Sequence, residues 1–208
     1  MQAFPVRHHT RPSGEIENPV PADERSVIWP LIGNRMLELG CKENGEGVYK
    51  WYFESIGIDH VSIDWNGFYG SLMLDLRTPI GLPPFDMVTN IGTTEHVSDQ
   101  ESCWRNIHNL TKVGGVIASV TPHEGDWWWH GEYYPRIEFF NQFAELNGYH
   151  IDHLAIGLEF PYRNTYARMV KVESSEFTMP SLDTIFVNER QKPHARNMTP
   201  EQLEARRG

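Results

Sequence analysis

Residues 36 to 47, MLELGCKENGEG, set an apolar run against a polar turn carrying Gly40, Gly45 and Gly47, with Glu38 at the junction. Glycine lets a backbone turn sharply and lets a ligand touch the main chain, and the amides opening a following helix attract electron-rich groups. Glu38 adds a negative charge that repels a pyrophosphate and welcomes an ammonium or sulfonium. Asp64, with Trp65 beside it, follows Gly40 at close to the spacing of about 20 residues at which an acidic side chain accepts hydrogen bonds from a ribose diol. Asp75 and Asn90 close the third and fourth apolar runs. One glycine turn is weak on its own, but a glycine turn followed by three polar strand ends describes a ligand crevice.

Two further stretches carry chemistry. In GTTEHV, residues 92 to 97, His96 has an intrinsic pKa suited to taking a proton near neutral pH, and Glu95 is placed to orient it. The alternative is that His96 packs under the loop while Glu95 opens the next helix. In TPHEGDWWWHGEYYP, residues 121 to 135, the consecutive Trp127, Trp128 and Trp129 cannot all face one core. Loops beyond the carboxyl ends of strands commonly build pockets, so these tryptophans are expected to wall a substrate site, with His123, His130, Tyr133 and Tyr134 as its polar groups. The competing expectation is packing against the N-terminal arm or a second subunit. Two histidines seven apart in a loop are weak metal ligands by themselves.

The elements that must position these residues alternate. Apolar runs at 35–40, 59–65, 71–76, 85–91 and 114–121 read as strands, and 150–158 with 165–172 reads as a hairpin joined by FPYRN. Between them lie helices: one with Val48, Trp51, Tyr52 and Ser55 or Ile56 on its face, one opened by a Ser98/Glu101 capping box with Trp104, Ile107, His108 and Leu110 inward, and one from about Pro135 with Phe139, Phe140, Phe143 and Leu146 as its stripe and Gly148 as its stop. Strands alternating with helices imply an α/β fold with a mostly parallel sheet covered on both faces. Residues 1–27, proline-studded, read as an extended arm, 28–173 as the domain, and 174–208 as an extension whose apolar run Ile185 to Val187 docks before a loose or helical end.

The 208 residues suit one domain with tails, and a net charge of -10 disfavours a grip on nucleic acid or anionic lipid. Apolar stretches of about eight residues are far below the roughly 20 that span a bilayer. Only Cys41 and Cys103 are present, without a signal-peptide pattern, so a cytoplasmic setting is expected. A small-molecule partner follows, and the arm or the tail leaves room for a homo-oligomer.

The pieces LELGCKENGEG, HVSIDWNG, LDL, FDMVTNIGTTEHVSD and LTKVGGVIASVTP resemble the class I S-adenosylmethionine-dependent methyltransferases over about residues 35–172. That resemblance implies a Rossmann-like three-layer sandwich, a seven-stranded sheet ending in an antiparallel hairpin strand, and S-adenosyl-L-methionine as cofactor. It also implies that Glu38, Gly40 and Cys41 border the methionine end, that Asp64 holds the ribose with Trp65 beside it, that Asp75 and Leu76 lie by the adenine, and that Asn90 lies near the amine or sulfonium. Where the family loop has a second glycine this chain has Lys42. Some quinone O-methyltransferases of the family hold a divalent metal with an acidic and histidine pair at the place of Glu95 and His96 and a carboxylate three residues earlier; Gly92 stands there, so no metal is expected. The Asn/Asp-Pro-Pro-aromatic signature of certain N-methyltransferases is absent, the strand end reading NIGT. In-line methyl transfer to a small or sugar- or carrier-linked acceptor is the leading reading. A non-catalytic member of the fold, kept alive by Lys42, is the alternative. A nicotinamide-dependent oxidoreductase is less favoured, because GCKENGEG lacks the compact G-x-G-x-x-G turn.

Overall fold

A computed structural model describes Arg11 and residues 13–44, 47–158 and 162–189. Seven strands form one sheet: β1 (Arg35–Leu39), β2 (Asp59–Asp64), β3 (Leu72–Met73), β4 (Phe85–Ile91), β5 (Thr111–Pro122), β6 (Tyr149–Ile156) and β7 (Asn164–Lys171). Their order is β3-β2-β1-β4-β5-β7-β6, and only β7 runs against its neighbours. The strand order turns back between β1 and β4, so a crevice opens there at their carboxyl ends. Leu39 is level with Ile63 on one side and Asn90 on the other, which brings the ends of β1, β2 and β4 to one height.

Four helices cover the sheet: α1 (Ala22–Ile28), α2 (Tyr49–Ser55), α3 (Gln100–Leu110) and α4 (Ile137–Asn147). A sheet covered on both faces needs central strands apolar on both sides, and Met36, Leu37 and Leu39 of β1 are all buried. Leu37 and Leu39 join the core under α3 and α4 with Trp104, Phe139, Phe140 and Phe143, while Met36 joins the opposite core with Val27, Ile28, Tyr49 and Phe53. Each buried aromatic contributes about 1.5–3 kcal/mol through burial.

Several expectations are corrected by packing. Residues 22–27, expected within an extended arm, form α1 together with Ile28, and the helix is fastened to the sheet: Tyr166 donates to Asp23 (2.5 Å), Tyr49 to Glu24 (2.6 Å), and the Arg168 guanidinium donates to the carbonyls of Val27, Ile28 and Pro30. Within α2 the buried positions are Tyr49 and Phe53; of the expected stripe, Val48 at the N-cap is buried, Trp51 and Tyr52 are partly buried, and Ile56 is exposed. The third strand shrinks from 71–76 to Leu72–Met73. The N-cap of α3 is Asp99, whose carboxylate accepts from the Ser102 amide at 3.0 Å, so the Ser98/Glu101 box is replaced by a cap one residue later. Pro135 does not open α4. Tyr133–Pro135 pairs antiparallel with Ile185–Val187, docking the C-terminal extension, and α4 starts at Ile137. Within α4, Leu146 faces outward and Asn147 is buried instead, donating to the Phe143 and Thr178 carbonyls. Gly148 ends the helix in the left-handed conformation (φ 68°) as its position suggested.

Candidate functional site

The β1–α2 connection is built from glycine outward. Gly40 has φ +70°, and a Cβ there would lie 2.5 Å from the Thr93 Oγ1. That hydroxyl donates to the Leu39 carbonyl at 2.6 Å, tying the loop after β4 to the end of β1. Two carboxylates then fix the turn: Asp64 accepts from the Cys41 amide at 3.1 Å, and Glu38 accepts from the Lys42 amide at 3.1 Å.

A cavity of about 450 Å³ opens above this turn, lined among others by Gly40, Cys41, Lys42, Asp64, Trp65 and His96. Asp75, Leu76, Gly92 and Thr93 complete it on the β3 and β4 sides. Its size falls within the usual range of small-molecule sites. Of the residues expected to border a cofactor, Gly40, Cys41, Asp64, Trp65, Asp75 and Leu76 line the cavity. Asp75 is engaged in a bidentate ion pair with Arg77, with contacts from 2.7 to 3.1 Å. Burial pushes the Cys41 thiol up to about 12, which leaves it protonated and unreactive at neutral pH.

Glu38 and Asn90 do otherwise. Glu38 is fully buried beneath the turn, outside the cavity lining, with its Oε2 3.4 Å from the Nε2 of the equally buried His60. Burial pushes its carboxyl up to about 8, against the opposing pull of the Lys42 amide and of Lys50, and burial pushes His60 down to about 3. The expected negative charge is therefore disfavoured, because the desolvation of a buried carboxylate outweighs the attraction of Lys50 and Lys42. Asn90 is fully buried and spends its amide internally, on Thr94 Oγ1 and Ser119 Oγ as donor (both 2.9 Å) and on the Thr94 amide as acceptor. It shapes the loop after β4 rather than facing the cavity.

Beyond the β4 end, residues Thr94–His96 form a single 3-10 turn that brings His96 into the cavity lining with Glu95 buried beside it. The Glu95 side chain is fully buried, and its Oε1 lies 3.8 Å from His96 Nε2 and 3.3 Å from His130 Nε2. His130 comes from the tryptophan loop. Its register is set by the main chain, the Glu132 amide donating to the Glu95 carbonyl at 2.8 Å. Gly131 permits the approach, since a Cβ there would lie 2.4 Å from Glu95 Cγ. The separation of seven positions from His123 proved irrelevant, for His123 instead lies 3.4 Å from Thr165 Oγ1, away from this cluster.

The tryptophan loop is a folded structure. Trp127, at φ 49°, donates from its indole to the Arg163 carbonyl and packs against His130 and Tyr162 at centroid distances of 5.4 and 5.0 Å. Trp128 stacks edgewise on Phe186, and Trp129 is 79 % exposed. Tyr134, expected in a substrate wall, is fully buried: its hydroxyl donates to the Trp127 carbonyl and accepts from the Gly131 amide and Asn188. Tyr133 is partly buried against the main core. None of Trp127, Trp128, Trp129, Tyr133 and Tyr134 lines the cavity, so they border the cluster side of the site at most. Reasoning from sequence missed Lys42, Met73, Leu74, Arg77 and Thr93 as lining residues. Lys42 was visible as the departure from the glycine pattern; Met73 and Leu74 were hidden inside an apolar run taken as strand.

No protein-family model matches the chain. A 96-residue stretch, 44% of the chain, is 31% identical to Protein Ycf2 of Ranunculus macranthus, and it spans 4% of that protein's length. Among solved structures the chain is similar to TehB from Haemophilus influenzae (TM-score 0.55, 14% identity, 73% of this chain and 62% of that one). It is also similar to the Burkholderia thailandensis 1,6-didemethyltoxoflavin-N1-methyltransferase solved with S-adenosylhomocysteine (0.52, 12%, 72% and 76%). A third is a TehB-like SAM-dependent methyltransferase from Corynebacterium glutamicum (0.50, 17%, 72% and 85%). Together with the strand order, these likenesses establish a Rossmann-like methyltransferase fold.

Proposed function

We propose that this chain is an S-adenosylmethionine-dependent methyltransferase acting on a small-molecule acceptor. The observation that carries the proposal is the 450 Å³ cavity at the strand-order reversal, where the Gly40 turn, the Asp64 carboxylate and His96 meet. The residues fit the cofactor: Gly40 leaves main chain open where a side chain would collide with Thr93. Asp64 would accept from the ribose hydroxyls, and Trp65, Met73 and Leu74 offer an apolar surface to a flat base. Lys42, half-exposed in the lining, would pair with the amino-acid carboxylate, which gives the departure from the family loop a role. Bound there, the sulfonium would supply an electrophilic methyl group, to which the acceptor's nucleophile would bond as the S–CH3 bond breaks and the neutral thioether leaves.

The chain's own task is alignment and proton removal, worth several kcal/mol and about 100- to 10,000-fold respectively. His96 is both a cavity residue and a member of the Glu95–His130 cluster, so the acceptor's nucleophile is activated between cavity and cluster, beside Trp127. Residues 28–173 would constitute the cofactor domain, with the flanking segments and a second copy as contributors to the acceptor side. A cytoplasmic setting belongs to the same proposal.

Calorimetric titration with S-adenosylmethionine and S-adenosylhomocysteine, with NAD as control, tests this. Micromolar binding of both adenosyl ligands, lost in Asp64→Ala and absent for NAD, supports the proposal. NAD binding alone returns the oxidoreductase reading, and adenosyl binding without turnover of any acceptor favours the non-catalytic one.

A further inference from the structure

Glu95 presents a problem that a methyl-transfer site does not by itself explain. Its carboxylate is fully buried, its Oε2 has no hydrogen-bond partner, and its Oε1 faces two imidazole nitrogens. An isolated buried carboxylate costs several kcal/mol unless a cation compensates it. We propose that Glu95, His96 and His130 form a binding site for one divalent transition-metal ion, of the Zn2+ or Co2+ class, at the mouth of the cavity.

The geometry carries this. One ligand atom from each of the three residues lies within 4.8 Å of the others. Metal–nitrogen bonds of about 2.0–2.1 Å place tetrahedral ligands about 3.4 Å apart, and the observed 3.3 and 3.8 Å bracket that edge. Rotation of the half-exposed His130 ring closes the remaining side. Two imidazoles and one carboxylate on one face, with further positions open, is a donor set that takes divalent transition ions.

The scaffold is built to hold these groups still. Gln100 donates to the carbonyls of Thr94 and Val97, Asn90 grips Thr94 from below, and the Glu132 amide fixes the tryptophan loop to Glu95. Asn188 clamps that loop through the carbonyls of Trp128 and Gly131. Gly131 leaves no room for a side chain between loop and carboxylate. Because His96 also lines the cavity, the open positions face an acceptor, and an ion there would lower the pKa of a bound hydroxyl and orient it. This site needs nothing from the cofactor, so it stands or falls apart from the proposed activity.

The test uses full-length protein stripped with a chelator and dialysed. Co2+ is titrated while its visible d–d absorption is followed, and Zn2+ binding is measured by calorimetry. The expected result is one ion per chain and a Co2+ spectrum typical of mixed nitrogen and oxygen ligands. Affinity should fall by at least about 100-fold in His130→Ala and in Glu95→Gln, exceeding the 10- to 100-fold cost of altering a mere supporting residue. His130→Ala alters a half-exposed side chain, so an unchanged melting curve separates ligand loss from unfolding. His8→Ala/His9→Ala should leave binding intact. No stoichiometric binding overturns the proposal, as does binding that survives both His130→Ala and Glu95→Gln or that vanishes with His8 and His9. Adenosyl-ligand binding without metal binding would sink this site and leave the methyltransferase reading standing.

Discussion

Replacing Gly40 by alanine separates two costs that the structure makes distinct. A left-handed backbone costs an L-residue about 1–2 kcal/mol, and Gly40 has φ +70°. The added methyl would also lie 2.5 Å from Thr93 Oγ1, displacing a hydroxyl whose hydrogen bond to the Leu39 carbonyl is worth about 1 kcal/mol. The total is about 2–3 kcal/mol, or roughly 4–12 °C of melting temperature for a domain of this size. Gly57 supplies the control, since it has φ +88° with nothing within 4 Å of an added Cβ. Gly57→Ala should cost the backbone part alone, about 1–2 kcal/mol. Thr93→Ala loses the hydrogen bond but clears the collision, so the double variant should be less destabilised than the sum of the singles by about 1 kcal/mol. Denaturant melts followed by circular dichroism measure all four. Equal costs for Gly40→Ala and Gly57→Ala, or strict additivity with Thr93→Ala, would refute the close approach of the two loops that frames the cavity.

The buried acid under the turn gives a pH signature. Glu38, raised from 4.5 to about 8, contributes stability that is complete below its unfolded pKa and is lost as pH rises through the folded one. His60, lowered from 6.5 to about 3, contributes stability that is complete above 6.5 and is lost as pH falls toward 3. The two slopes oppose each other between 4.5 and 6.5, and between 6.5 and 8 the Glu38 slope stands alone at up to about 1.4 kcal/mol per pH unit. Glu38→Gln keeps the acceptor for the Lys42 amide and should flatten that alkaline decline; an unchanged profile would contradict it. Arg168→Met strands the carbonyls of Val27, Ile28 and Pro30, costing about 3 kcal/mol and loosening α1 so that trypsin cuts faster after its Arg25, which limited proteolysis would reveal. Tyr134→Phe should cost about 1–3 kcal/mol through the loop contacts it severs, whereas Trp129→Ala, at an exposed position, should stay within about 0.5 kcal/mol in a thermal melt.

The alternation of strands and helices and the ends of β1 and β2 were legible because they depend on periodicity and on glycine, both local properties. The apolar β1 run, Gly40 and Asp64 needed only spacing. The start of α4 was not legible: Pro135 looks like a first-turn residue, yet the partner that recruits it into a strand is Ile185, from the far end of the described chain. Long-range pairing leaves no mark in a local window. The same holds for α1, whose helix is too short to be stable alone and depends on Tyr49, Tyr166 and Arg168 from other elements.

Charge was misjudged for a related reason. Glu38 carries a negative charge by residue type, but protonation belongs to the environment, and the environment includes His60, which pairs with Met36 in the β1–β2 register and reaches Glu38 diagonally. The cluster at the cavity mouth shows the complementary case. Glu95 and His96 are adjacent in sequence and could be proposed together, while His130 lies in another loop and was assigned to a separate wall. What joins them is Gly131, the one position where an absent side chain lets the tryptophan loop settle onto Glu95. Gly131→Ala should therefore push His130 away from Glu95 and weaken any ligand the two share, while a glycine needed only for loop flexibility would tolerate alanine without loss. Co2+ affinity, read beside the melting curve, distinguishes a positional glycine from a merely mobile one.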